Sequence, residues 1–221
     1  MNIDTNIYRG KCSHRKKAHP LTQSNPHPPH IMNVIELALW SLPLLVFVQF
    51  NTILPGWGSR KVLHITTGLL LMQCSVFDPA FQYATYAVTL LAVLAIWNVE
   101  QVLHFAAKRD VGVTNYLIFC SLCVALRIEL KFCAPLFLAD PAGAIVGKNW
   151  KTAKLVGDKS VGGTLAVFLT AAASLIETPL WGRLLSGLII CIIEAVSGKF
   201  DNPLIGAYLL VHHYIFRILM V

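Results

Sequence analysis

Between residues 140 and 164 the chain reads Asp140-Pro-Ala-Gly-Ala-Ile-Val-Gly147-Lys148-Asn-Trp-Lys151-Thr-Ala-Lys154-Leu-Val-Gly157-Asp158-Lys159-Ser160-Val-Gly162-Gly163-Thr164. An acid closing an apolar run is followed by glycines, four lysines and a hydroxyl-bearing turn that opens the next apolar run. Glycines at 147, 162 and 163 let a backbone come close to phosphate oxygens, and amides at the start of a helix aim donors at an anion. Lys148, Lys154 and Lys159 would supply point charges for a triphosphate, with Ser160 donating its hydroxyl. Asp140 would hold the Mg²⁺ that accompanies such a group. No G-x-x-x-x-G-K-[ST] occurs, so this is not a Walker A loop. An ordinary hydrophilic connection between helices would also be rich in Lys and Gly, so the spacing must carry the reading.

Two further stretches bear chemistry. In Arg60-Lys61-Val-Leu-His64-Ile-Thr-Thr-Gly68, a helix would place Arg60, His64, Thr67 and Gly68 on one face. In Glu194-Ala-Val-Ser-Gly-Lys-Phe-Asp201-Asn202, Glu194 falls within an apolar run, where an unpaired carboxylate is costly. It should therefore face the interior and pair with a base or a metal.

The spacing from Asp140 to Gly163 resembles the CTP-binding signature of the dolichol kinase, phytol kinase and CTP-dependent diacylglycerol kinase superfamily. That signature runs approximately D-x-x-A-x-x-x-G-[KR]-x-x-G-x-x-[KR]-x-x-x-x-K-[ST]-x-E-G. Asp140, Gly147, Lys148, Lys154, Lys159, Ser160 and Gly163 fall in register; Gly143 stands for the small Ala, Lys151 for a Gly and Gly162 for the acid. The Arg60 to Gly68 stretch resembles the family's R-K-x-x-H-x-x-x-G, and Glu194 to Asn202 its E…D-N. Arg109-Asp110-Val-Gly112-Val-Thr-Asn-Tyr116 resembles an R-x-x-G-x-x-x-Y stretch, although a plain helix cap would read the same way. The resemblance covers most of residues 60 to 205.

It implies a CTP-dependent kinase that phosphorylates a membrane lipid alcohol: a polyprenol or dolichol, a phytol- or farnesol-like alcohol, or diacylglycerol. Asp140, Lys159, Glu194 and Asp201 would be catalytic, with Asp140 and Glu194 as metal ligands. Gly147, Lys148, Lys154, Lys159, Ser160, Gly162 and Gly163 would bind the nucleotide. Arg60, Lys61, His64, Arg109 and Asn202 would line the remaining pocket. CTP is the implied co-substrate and Mg²⁺ or another divalent cation the implied cofactor. A phosphatidate cytidylyltransferase, which also joins CTP, Mg²⁺ and a lipid head group, is the rival reading. A non-enzymatic anion transporter or lipid-binding membrane protein is the second.

The elements that must position these groups are apolar. Of 221 residues 56% are hydrophobic and 13% charged, and the mean hydropathy is +0.62, which excludes an ordinary water-soluble surface. Uncharged runs such as 37–54, 80–99 and 161–176 approach the roughly 20 residues that cross a hydrocarbon core. The expected fold class is therefore an all-α, polytopic membrane helical bundle of about seven to eight transmembrane helices. Eight spans are expected near 34–54, 62–77, 80–98, 112–128, 131–147, 162–178, 183–198 and 203–221. They form one catalytic domain over 31–221. Residues 1–30, basic and rich in His and Pro, are expected to be a disordered tail, with a transit peptide as the alternative.

With eight spans, every odd-numbered connection emerges on one side, and those connections carry Arg60, Lys61, Lys108, Arg109, Lys148, Lys151, Lys154, Lys159 and Lys199 beside Trp57, Trp97 and Trp150. That face suits a polyanion next to a bilayer, although cytoplasmic loops are basic in any case. The bilayer, CTP and a lipid alcohol are the expected partners. Nucleic acid is not, because the basic residues are dispersed over loops. The six cysteines lack a disulfide framework, and Cys120-x-x-Cys123 falls mid-span, so packing is their expected role.

Overall fold

The computed structural model describes residues 31–100, 103 and 105–219. The expected tail over 1–30, and His104, lie outside the described residues. Among the described residues eight α-helices follow one another: α1 (Val34–Phe50), α2 (Gly56–Leu71), α3 (Pro79–Asn98), α4 (Val111–Ala125), α5 (Ala134–Asn149), α6 (Val161–Ser174), α7 (Leu180–Ser197) and α8 (Asp201–Leu219). Short 3₁₀ turns precede α5 and α8. The protein is thus mostly helical, and three stretches, Pro79–Asn98, Leu130–Asn149 and Leu180–Ser197, are long and apolar enough to cross a membrane.

Local sequence sets most helix starts. Asn33 and Glu36 form a reciprocal capping box at α1. Asp78 caps α3 with Pro79 in its first turn, Asp110 caps α4, and Ser160 caps α6. The second helix begins at Gly56, six residues before the expected span, so that Arg60 and Lys61 lie within it. Their charges read as a loop locally, but each meets an acid far away in sequence.

The connection between α5 and α6 is more regular than the loop the sequence suggested. β1 (Lys154–Val156) pairs antiparallel with β2 (Lys159–Ser160) across a two-residue turn at Gly157 and Asp158. Gly157 has φ +54°, a conformation that glycine adopts without a side-chain penalty. This hairpin folds Lys159 back towards the helices.

The packing places α5 at the centre, against α2, α6, α8 and the 3₁₀ turn before it. Over half of its apolar window is buried, 56%, compared with 11% for α3 at the rim. Gly143 and Gly147 on α5 face Gly163 on α6. A Cβ on Gly163 would lie 2.9 Å from the Gly143 carbonyl oxygen and 3.2 Å from the Gly147 Cα, so these backbones touch only because side chains are absent. The rim exposes large apolar groups, including Leu39, Leu91, Leu180 and Trp181, while Asp140, Glu194 and Asn202 are buried. Such an inverted distribution suits a lipid-facing exterior.

Candidate functional site

Three carboxylates meet at the middle of the structure: Asp140 on α5, Glu194 near the end of α7 and Asp201 at the start of α8, with ligand oxygens all within 4.8 Å of one another. Asp140 is 8% exposed and Glu194 4%. Like charges this close repel strongly in a poorly hydrated site, so cations must accompany them. Lys61 Nζ reaches Asp140 Oδ2 at 2.6 Å, and Lys159 donates to Glu194 Oε1. Three carboxylates against two ammonium groups leave one formal negative charge. Among the described residues Asp201 forms no ion pair; its Oδ1 accepts from the Asn202 amide at 2.7 Å.

The face expected on the second helix is present. His64 Nε2 donates to the Leu136 carbonyl at 3.2 Å, which leaves Nδ1 turned towards Asp140, 4.0 Å away. Tyr116 packs edge-on against the imidazole, with 4.4 Å between ring centroids. Gly68 sits against Phe137, where any Cβ would collide with the ring. Arg60 donates to Asp110 Oδ2 at 2.8 Å, and Asp110 also caps α4 through the Val113 amide at 3.0 Å. A side chain at Gly112 would strike the Arg60 guanidinium. The Arg109 to Tyr116 stretch therefore contributes Asp110, Gly112 and Tyr116. Arg109 itself is exposed in the preceding turn with φ 56°, its amide donating to the Ile96 carbonyl.

The residues expected to cradle a triphosphate divide into two groups. Lys159 points into the carboxylate cluster. Lys148 lies over the Trp57 ring, 4.1 Å from its centroid, and Lys154 is exposed and 3.6 Å from Asp158. Ser160 Oγ accepts from the Gly163 amide at 3.2 Å, and Thr152 Oγ1 accepts from the Gly162 amide at 2.8 Å. Both amides assigned to phosphate are thus satisfied by side chains of the α5–α6 connection, one from the helix cap and one from before β1. Gly147 and Gly163 are accounted for by helix packing. Gly162, standing where the signature has an acid, leaves no carboxylate at that turn.

Sequence reasoning did not anticipate Asp110 as the partner of Arg60, Thr152 as a cap of the Gly162 amide, or Trp57 beneath Lys148. Asp110 had a visible signal, an acid before an apolar helix, but that signal announced only the cap. The donor set of Asp140, Glu194 and Asp201, three hard oxygens around one point, fits a divalent cation of the Mg²⁺ type. Comparison with family models, curated proteins and solved structures finds no match to this chain.

Proposed function

We propose that the chain is a multi-pass membrane bundle of seven to eight spans acting as a CTP-dependent lipid-alcohol kinase. One observation carries the reading. The three separate stretches that resemble the kinase signature supply Lys61 and His64, Asp140 and Lys159, and Glu194 and Asp201, and all six side chains converge on one buried centre.

In phosphoryl transfer the protein contributes positioning and charge neutralisation rather than covalent chemistry. The substrate hydroxyl oxygen bonds to the γ-phosphorus of CTP as the bond from that phosphorus to the β,γ-bridging oxygen breaks. CDP departs with the electron pair, leaving the lipid monophosphate. Asp201, the carboxylate without an ion-pair partner among the described residues, takes the hydroxyl proton. Lys159 exchanges Glu194 for a phosphate oxygen when nucleotide binds, and Lys148 and Lys154 meet the outer phosphates. A divalent cation held by Asp140 and Glu194 would neutralise charge on the triphosphate. Lys61 and His64 hold Asp140 in place.

The test uses purified protein in liposomes with Mg²⁺, γ-labelled CTP, and farnesol, phytol, dolichol or diacylglycerol. Label in one lipid with release of CDP supports the kinase. Pyrophosphate released from CTP and phosphatidate transfers the assignment to a cytidylyltransferase. Anion uptake without nucleotide turnover transfers it to a transporter.

A further inference from the structure

Every residue from Lys148 to Asp158 is exposed, although the stretch includes Trp150, Leu155 and Val156. A two-stranded hairpin is marginal in water unless something packs on it, and the protein leaves these three apolar side chains uncovered. The hairpin is nonetheless held in one place. The Ala153 carbonyl accepts from the Val161 amide at 2.9 Å and Thr152 Oγ1 from the Gly162 amide, so its base is tied to the first turn of α6. Its return strand carries Lys159 to Glu194.

That place is a boundary between apolar and polar surface. The connection follows directly on Leu130–Asn149, a stretch long and apolar enough to cross a membrane. On α6, Val161, Leu165 and Leu169 recur every fourth position and are exposed, whereas Gly163, Thr164 and Val167 are buried. The outward apolar stripe of α6 thus begins where the hairpin is tied, and Leu155 and Val156 add exposed apolar surface at its head. Trp150 beside Lys151 is a pairing suited to the level where hydrocarbon gives way to head groups.

Charge distinguishes the two ends of the bundle. The hairpin shares its end with the α3–α4 connection, because Arg60 near the start of α2 meets Asp110 and Lys148 lies over Trp57 on the same helix. Among the described residues Lys108, Arg109, Lys148, Lys151 and Lys154 are exposed there against Glu100 and Asp158, five bases to two acids, an excess of three. The connections and helix ends of the opposite side carry Glu36, Asp78, Glu129 and Glu177 with Arg127, Lys131, Arg183 and Arg217, four of each and no excess. On the basic end, Lys108 and Lys154 have those two acids as partners. Lys151, next to Trp150, forms no ion pair among the described residues.

We propose that the β1–β2 hairpin docks on an anionic bilayer surface, with Trp150, Leu155 and Val156 entering the boundary between head groups and chains and Lys151 meeting head-group phosphates. The partner is an anionic phospholipid acting as a surface, distinct from any lipid consumed at the carboxylate centre. Each lysine beside such a surface strengthens association about fivefold, a gain that a zwitterionic bilayer withholds. Docking rests on the membrane-bundle reading; it does not rest on catalysis.

The test follows hydrogen exchange over residues 150–160 of the full chain, in nanodiscs of phosphatidylcholine alone or mixed with phosphatidylserine. Hairpin amides should exchange about fivefold more slowly in the anionic discs, and raised salt should remove the difference. Lys151→Gln and Leu155→Gln, both at exposed positions outside the carboxylate centre, should each remove it while leaving the unfolding temperature unchanged. Equal exchange in the two discs would overturn the docking. Protection by soluble glycerol phosphate in phosphatidylcholine discs would replace the surface with an anion site, and protection that needs two copies per disc, whatever the lipid, would give the face to a second copy. CTP titration in the same discs keeps the two readings apart. Hairpin protection without CTP binding would sustain the docking and end the kinase reading, whereas lipid phosphorylation with equal exchange in both discs would do the reverse.

Discussion

Lys61 and Asp140 stand seventy-nine positions apart in the chain, yet their charged ends meet at 2.6 Å beneath the surface. The pair ties α2 to the central helix and, together with Lys159 on Glu194, neutralises two of the three clustered carboxylates. Its geometry also explains why two short polar stretches, neither sufficient alone, belong to one site. A buried ion pair of this kind gives little net stability but makes the loss of either partner expensive.

Lys61→Met should therefore destabilise the protein by about 3–5 kcal/mol, because Asp140 is left charged and buried without its ammonium partner. The double variant Lys61→Met/Asp140→Asn should recover most of that loss, since both groups are then neutral. Lipid phosphorylation should be absent in the double variant as in Asp140→Asn. Thermal unfolding in detergent and the labelled-CTP assay separate the two effects. A stable double variant with normal activity would remove Asp140 from the mechanism.

Lys159 and Glu194 call for the opposite experiment. If Lys159 trades its carboxylate for phosphate on nucleotide binding, Glu194→Gln releases that ammonium in advance. CTP should then bind more tightly, while turnover falls because a charged ligand has gone. Lys159→Ala should weaken CTP binding tenfold or more, in line with the ~1.5–3 kcal/mol of a charge-assisted hydrogen bond. Calorimetric titration with CTP reads both, and tighter binding in Lys159→Ala would exclude a phosphate role for this lysine.

Much of this arrangement was legible locally. Asn33 with Glu36, Asp78 with Pro79, and Ser160 announce helix starts by chemistry that acts within one turn, and the apolar runs locate all eight helices to within several residues. The motif spacing also marked Asp140, Lys159, Glu194 and Asp201. What could not be read was partnership. Arg60 with Asp110 and Lys61 with Asp140 are fixed by helix packing across 50 and 79 positions, and no local pattern encodes such distances. Lysines and arginines at the start of α2 therefore looked like loop residues. The glycines carried two compatible meanings, phosphate approach and close helix packing, and only coordinates show that Gly143, Gly147 and Gly163 satisfy the second.

Those glycines separate packing from nucleotide binding. Gly163→Ala puts a methyl 2.9 Å from the Gly143 carbonyl oxygen, a backbone atom that cannot yield cheaply, so a loss of about 1–3 kcal/mol is expected. Gly157→Ala meets no atom within 4 Å and strains only its own φ of +54°, at about 1–2 kcal/mol confined to the hairpin. The first should lower the unfolding temperature. Fraying of the exposed hairpin relieves that strain without opening the helices, so the second should lower it less while raising the KM for CTP through Lys159, and a larger drop in Gly157→Ala than in Gly163→Ala would contradict the packing account.

Gly112 gives a sharper coupling test. Its absent side chain makes room for the Arg60 guanidinium, so Gly112→Ala should displace that arginine and reproduce the activity loss of Arg60→Ala. The double variant should be no worse than either single one, since both remove the same Arg60 to Asp110 contact. Additive losses would mean that Gly112 acts elsewhere.

The membrane reading rests on which surface is apolar, and α3 exposes a large part of it. Leu91, midway along α3, is 65% exposed, as are its neighbours Val88, Leu90 and Leu94 to 50% or more. In water such a position tolerates a charge, with changes within ~0.5 kcal/mol. At the centre of a bilayer an arginine instead costs about 2.5–3.5 kcal/mol on the insertion scale. Leu91→Arg should accordingly reduce insertion of the α3 segment in a glycosylation-reporter assay, whereas arginine at Asn98, at the helix end, should have little effect because a long side chain there reaches the interface. Equal insertion of both variants would show that α3 does not cross lipid.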